Sequence, residues 1–352
     1  MPDWTKSMQQ TFEYRIVDPG TWRDDKEIDV VKSSDIDNDN DADTLGSASF
    51  DVTENLGEMY IRTYLVTRQN GIRERFPIGT HLVQTPSSSF NGKVRSVSMD
   101  AYTPLLELKE NPPPIGYYLP KGSNIMEEAY KIVQTHVRAP VVQPKCDKTL
   151  YADFAANTDD TWLTYVIDLI GSADYELGLD ELGRVLFMPI QSVDALRPVT
   201  TFDDGNSSIL YPDISEENDL YGVPNVVEVV YAQNNVNLYA RVVNDDPNSI
   251  VSTVNRGREI TYRESNPSFS GTPNQKQIDD YAVKLLQKLS TVEHKITYSR
   301  GYYPVRVGDC VMLDYTAAGI HRQKAQVIKQ TIDCSTGCKV SETAVYTTKL
   351  WG

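Results

Sequence analysis

Asp35, Asp37, Asp39, Asp41 and Asp43 alternate with Ile36, Asn38, Asn40 and Ala42, and carboxylates at that spacing can converge on a hard cation such as calcium. The details oppose it. With Asp37 as first ligand, Ala42 falls where the tight turn needs glycine and Ala48 where a bidentate glutamate belongs. The residues favour a solvated acidic loop over 35–43. Cys334 and Cys338 are separated by Ser335-Thr336-Gly337, with Cys310 on a neighbouring predicted strand. That spacing is looser than a zinc knuckle and no second pair follows, so the two are expected to flank a β-turn as small hydrophobes, reduced or joined across the hairpin.

His81, His136, His294 and His321 have no second histidine or cysteine at ligand spacing. H-E-x-x-H, G-x-S-x-G, the phosphate-cradling G-x-x-x-x-G-K-[ST] and a G-x-G-x-x-G after a strand are all missing from the sequence. Glu127-Glu128 and Glu216-Glu217 could in principle act as acid and base on a glycoside, but both read as solvated pairs. Accordingly no catalytic, cofactor-binding or metal-ligating residue is assigned, and no cofactor is expected.

The chain has 352 residues, long enough for two or three domains. Its 49 acidic and 34 basic residues give a net charge of −15, which argues against wrapping nucleic acid by neutralising phosphates. Tyrosine is in excess, 21 against 8 Phe and 4 Trp, as suits half-buried strand positions and interfaces. No run approaches the ~20 apolar residues a membrane span needs, and Met1 to Lys6 do not read as a signal peptide. With only four cysteines, a disulfide scaffold is not expected either. Synthesis in a cytoplasm is the expectation, as a soluble component or part of an assembly.

The elements that would position these residues are mostly strands. Residues 1–45 read as extended and polar, and from about 48 to 110 the pattern is β. Met59 to Thr67 is rich in β-branched and aromatic types and is followed by Asn70-Gly71, a strong hairpin signal; Asn91-Gly92 repeats the device before Val94. Pro112-Pro113-Pro114 breaks the pattern and sets a boundary. Beyond it, one helix is predicted through Ile125, Ala129, Ile132, Val133 and His136, with Ser123 as N-cap and Pro140 as the stop. A second runs from about Asp160 to Ile170, stopped by Gly171, and an acidic-Gly hairpin spans Tyr175 to Pro189. Asn225 to Ala232, Leu238 to Val243 and Ile260 to Arg263 are strands, the first two joined by a turn at 233–235. Thr272, Pro273 and Gln275 suggest a capping box for a helix bearing Ile278, Ala282, Leu285, Leu286 and Leu289. Short strands then run to the end, again like a sandwich or barrel.

Three stretches in order carry a resemblance: the β unit ending at the Pro run; the helix with Trp162-Leu163-Thr164-Tyr165-Val166 and its hairpin Leu179 to Phe187; and the helix Gln277 to Leu286 with the later strand Tyr303 to Val311. Over about 48–350 the chain resembles the bacteriophage tail baseplate hub proteins, at the distal end of the tail tube. The resemblance implies a mainly β fold with an α+β insert: a tube-like β-barrel in 1–112, a peripheral α+β domain in 113–200, and a second barrel with one inserted helix in 201–352.

It further implies a homotrimer forming a pseudo-sixfold ring, joined to tail tube or distal tail proteins, a tail spike or tip protein and the tape measure protein. Genomic DNA would pass through the lumen without specific binding, in a virion tail assembled in the host cytoplasm. Three copies would carry −45, a like-sign wall for phosphates. The function so implied is structural and not enzymatic. The rival expectations are an adsorption protein binding host-surface glycan or receptor, and a glycan-cleaving tail enzyme. Trp4, Trp22, Trp162 and Trp351 are too scattered to suggest a sugar-stacking cleft.

Overall fold

Alternating apolar and polar residues dominate the chain, and the resulting elements are mainly antiparallel strands. The computed structural model describes residues 1–90, 92–93, 95–233, 235–269 and 272–352. Asn91 and Val94 of the second expected hairpin, and Asn234 of the expected turn at 233–235, lie outside them. The chain forms two compact units. The first is Met1–Ile214 with Tyr298–Thr343, the second Ser215–Thr297 with Ala344–Gly352.

In the first unit the sheet runs Asp24–Ile28, Gln9–Val17, Met59–Gln69, Ile72–Phe90, Arg95–Tyr102, Gly46–Val52, Val31–Asp39 and Ile320–Asp333. Cys310–Tyr315 pairs antiparallel with the last of these, and Thr200–Asp203 adds to Cys310–Tyr315 in parallel. The expected two-residue hairpin is present: Gln69 pairs with Ile72, and Asn70 and Gly71 have φ of 51° and 80°, the positive values a type I′ turn demands. Strands begin earlier than expected, because Gln9–Val17 alternates well enough to pair along its whole length with Met59–Gln69.

The acidic stretch is not a loop over its whole length. Val31–Asp39 is a strand between Gly46–Val52 and Ile320–Asp333, since carboxylates every second residue share one face while Ile36 points into the core. The expected closed barrels are not found either. The strand path is open among the described residues, and its outer strand Asp24–Ile28 carries Asp24, Asp25, Lys26 and Glu27, charges that discourage further pairing.

The cores of this unit include two large ones. One packs Phe50, Ile61, Leu65, Met99 and Val340 between strands. The other joins Tyr60 and Leu82 of the sheet, and Trp22 between its first two strands, to the helices Ile125–His136 and Trp162–Gly171. Both helices were anticipated, with shifted caps. Asn124, not Ser123, accepts from the Glu127 amide, and Thr161 forms a capping box with Thr164. The hairpin Tyr175–Leu179 with Val185–Pro189 forms as expected.

The second unit holds a three-stranded sheet, Val236–Val243, Val226–Gln233 and Thr261–Ser265. Val227, Val229 and Tyr231 bury one face of it against Ile278, Ala282 and Leu286 of the helix Gln275–Leu289. That helix is capped by Asn274 with Gln277, two residues beyond the expected Thr272, because the Asn274 side chain accepts from the Gln277 amide and Gln277 reaches back. Thr261–Ser265 pairs parallel with Val226–Gln233, an arrangement local pattern does not announce.

Candidate functional site

The chemistry-bearing residues are not brought together. Asp37 accepts from the Thr331 hydroxyl at 2.5 Å and Asp39 from the Lys329 ammonium at 2.9 Å, so two carboxylates of the acidic stretch serve cross-strand contacts. Among the described residues no three Asp, Glu, His or Cys side chains form a cluster able to hold a metal ion. Cys334 and Cys338 flank the turn between Ile320–Asp333 and Lys339–Lys349, both buried and both free thiols. Burial pushes the Cys334 thiol up to about 12 and raises that of Cys338 too, which leaves neither a ready nucleophile. Cys310, on its strand, is also buried.

The histidines separate as well. His136 stacks on Trp162 with centroids 4.6 Å apart, and His294 stacks on Tyr346 at 4.5 Å, while His321 is exposed. His81 is buried with Nδ1 unpartnered, and burial lowers its pKa to about 4. It lines a cleft of about 70 Å³ in the first unit, along with Thr80, Asp180, Glu181, Tyr302 and Arg306. Of the two carboxylate pairs, Glu128 binds Lys131, and Glu216 accepts from the Tyr346 hydroxyl.

The functional weight falls instead on how surfaces are held. Arg62, in the run Met59–Gln69, donates from Nε to Thr80 at 2.9 Å, from Nη1 to Asp24 at 2.6 Å and from Nη2 to the Leu182 carbonyl at 3.1 Å. The Trp22 indole donates to the same carbonyl at 2.7 Å. These bonds fasten the acidic-Gly hairpin of the α+β insert onto the N-terminal sheet. Gly183 at its turn has φ +74°, and a Cβ there would lie 2.9 Å from the Thr80 Cβ.

A second knot is wholly dry. Arg300 and Glu342 have no exposed side-chain surface, and they bond at 2.9 Å (Nε to Oε2) and 2.5 Å (Nη2 to Oε1). Gln330 adds a third donor to Glu342 at 2.7 Å. Sequence reading missed both knots. The signal available was a lone arginine inside a β-branched and aromatic run. Tyrosine hydroxyls follow the same logic: Tyr60 donates to Glu107 at 2.8 Å and Tyr64 to Asp24 at 2.7 Å while their rings are buried. Trp4, Trp22 and Trp162 are buried, and Trp351 packs against the helix of the second unit.

No family model matches the sequence, and no curated protein does either. Solved structures do. The tail protein from Neisseria meningitidis MC58 aligns over 96% of this chain and 96% of its own, at 14% identity and a TM-score of 0.65. The 43 kDa tail protein of prophage MuSo2 from Shewanella oneidensis aligns over 96% and 98%, at 10% identity and a TM-score of 0.66. This chain has the phage tail-protein fold. A chain of the Francisella PdpA–VgrG complex shares it at a TM-score of 0.53 and 9% identity, with 97% of this chain aligned to 58% of that one. Of the fold expected from the resemblance, the mainly β, phage tail-protein-like architecture is observed, without a closed barrel among the described residues.

Proposed function

We propose that the chain is a structural hub of a phage tail. Three copies form a ring that joins the tail tube to the tip or spike, and DNA passes through the ring without specific binding. In this reading 1–112 and 201–352 supply two tube-like β regions per copy, with 113–200 peripheral. Its neighbours are tube or distal tail proteins, a tip or spike protein and the tape measure protein. The particle is assembled in the host cytoplasm and the chain resides in the virion. No residue catalyses a reaction; the work is assembly.

The observation that carries this reading is the alignment of 96% of the chain to two tail proteins, across both units. Permanent rings need interfaces above ~2,000 Å². The exposed Tyr118, Tyr151 and Tyr221, and the open strand edges, offer the residue type and backbone groups such interfaces use. The adsorption and glycan-cleaving alternatives draw no support from the tryptophans, whose rings are taken up in cores.

Sizing with light scattering tests the proposal. A stable species of three times 39.6 kDa, seen as rings with an axial hole in electron micrographs, is expected. A monomer at every concentration, with no ring on tail particles, overturns it.

A further inference from the structure

The outer face of Gln9–Val17, Met59–Gln69 and Ile72–Phe90 divides into two halves. At one end Val17, Tyr60 and Leu82 pack into the core shared with the insert helices. At the other, the register sets Thr11, Glu13 and Arg15 beside Val66, Tyr64 and Arg62, and sets Arg68 and Val66 beside Arg73 and Arg75. Alternation puts these residues on one side of the sheet, with Ile61 and Leu65 completely buried on the other. The open half holds two adjoining clefts that share Arg73. One, of about 330 Å³, lies among Arg15, Arg73 and Arg75; the other, of about 140 Å³, lies between Arg68 and Arg73.

In a chain of net charge −15 this half-face reverses the local sign. Arg68 lies directly opposite Arg73, and like charges so opposed weaken a sheet. Glu13, 6% exposed, sits among the guanidiniums and accepts from Arg15 at 2.6 Å, Arg75 at 2.9 Å and Arg73 at 3.0 Å. Burial acts to raise its pKa, but the hydrogen bonds from Arg15 and Arg75 outweigh it and hold the carboxyl below its ordinary range. The cluster therefore already takes one carboxylate, and Glu13 engages a single N–H of an Arg73 that has five. Arg75 is fixed over the Tyr64 ring, 4.1 Å from its centroid. Arg73 is 60% exposed, and Arg68 has no ion-pair partner among the described residues. The acids at the rim are occupied: Glu27 binds Arg15, and Glu74 binds the N-terminal ammonium.

We propose that this arginine-lined trough is a docking site for an extended, carboxylate-rich segment of a partner protein. The site stands independently of the hub reading. A guanidinium fork matches a carboxylate with two parallel N–H···O bonds, so acids of the segment take the remaining donors of Arg68, Arg73 and Arg75 as Glu13 takes the first. Spacing favours a peptide over a nucleic acid. Duplex DNA carries one charge per ~1.7 Å and would press phosphates against Glu13, Glu27 and Glu74. Side chains on one face of an extended segment recur only every ~7 Å, which leaves room for those acids between contacts.

Fluorescence anisotropy of a labelled Glu-Thr repeat peptide, titrated with the full chain at low salt, tests this. Saturable binding is expected, weakened about tenfold by Arg68→Gln and by Arg73→Gln, since each removes one charge-assisted contact. Arg258→Gln, at an exposed arginine of the second unit, should leave it unchanged, and a Gln-Thr repeat peptide should not bind. Both trough positions are exposed, and unfolding midpoints equal to the native chain's show that each variant is folded. Absence of binding, or equal weakening by all three variants, overturns the assignment. A short DNA duplex that binds more tightly than the peptide, and is weakened by the same two trough variants, gives the trough to phosphate and overturns it as well. Self-association of the chain that blocks the peptide and is lost in Arg73→Gln makes a second copy the occupant, against a separate partner.

Discussion

Replacing Arg300 with methionine strands a carboxylate in the driest part of the first unit. In the native chain the Arg300 guanidinium gives two bonds to Glu342, donates to the carbonyls of Gly301 at 3.0 Å and Tyr303 at 3.1 Å, and lies 5.0 Å from the Phe202 ring centroid. After the change, Glu342 keeps the Gln330 amide as a donor but loses the guanidinium that balances its charge. An uncompensated buried charge costs about 3–5 kcal/mol, so R300M is expected to lose about 4 kcal/mol. E342L, which leaves the guanidinium unpaired, should lose a similar amount.

The double variant R300M/E342L removes both charges. It leaves two carbonyls short of a donor at about 1 kcal/mol each, so its loss should be about 2 kcal/mol, less than either single change. Urea unfolding followed by tryptophan fluorescence reads this, because Trp4 packs edge-on to Tyr302 at 5.1 Å, close to Arg300 in sequence. With a slope of about 3 kcal/mol/M, a 4 kcal/mol loss moves the midpoint by about 1.3 M. Losses that simply add in the double variant, or an R300M cost below about 1 kcal/mol, would refute the reasoning.

Three further outcomes follow from the same structure. His81 is held neutral by burial, with a folded pKa of about 4 against about 6.5 unfolded, so the unfolded chain binds the extra proton first. Stability is therefore complete above pH 6.5 and falls by about 3 kcal/mol as pH drops toward 4; urea midpoints at pH 5 and 7 should show a steeper loss for the native chain than for His81→Gln. Gly183→Ala, at φ +74° with Thr80 and Trp22 in the way, should cost about 2 kcal/mol and lower the melting temperature by several degrees in a thermal scan. A thiol reagent at pH 8 should modify Cys146 quickly and leave Cys310, Cys334 and Cys338 untouched until urea is added, and rapid modification of all four would contradict the burial.

How far the sequence reveals this molecule depends on whether the deciding interaction is local. Asn70-Gly71 demands positive φ at both residues, and the hairpin there follows from two adjacent side chains. The helix Gln275–Leu289 shows its buried stripe at i, i+4 and i+8, while its cap slips by two residues because Thr272 and Asn274 compete and only Asn274 finds Gln277 in reach. The acidic alternation at 35–39 forms a strand because its period outweighs its composition. Five aspartates suggest a solvated loop, but the intervening Ile36 shows a strand with one buried face. Resemblance, resting on the order of several weak motifs, conveyed the fold where none of the motifs did so alone.

What stayed hidden is what residues far apart in the chain decide together. Thr200–Asp203 pairs in parallel with Cys310–Tyr315, more than a hundred residues away, and nothing in either strand encodes that choice. The same holds for Asp35, whose opposite neighbour Asp333 lies nearly three hundred residues on. A reader of the sequence sees an acidic run and a C-terminal strand, and only the register shows that one carboxylate faces another. That distinction has a physical consequence. A solvated acidic loop would spread its charges apart, whereas a sheet fixes them about 5 Å apart and must bear the repulsion in every folded copy. Selection for stability alone would remove it, since Asp333→Asn retains the shape and relieves the charge. Unfolding midpoints should therefore rise for Asp333→Asn, most clearly at low salt, where the repulsion is unscreened. A variant no more stable than the native chain under those conditions would mean that the opposed charges cost nothing.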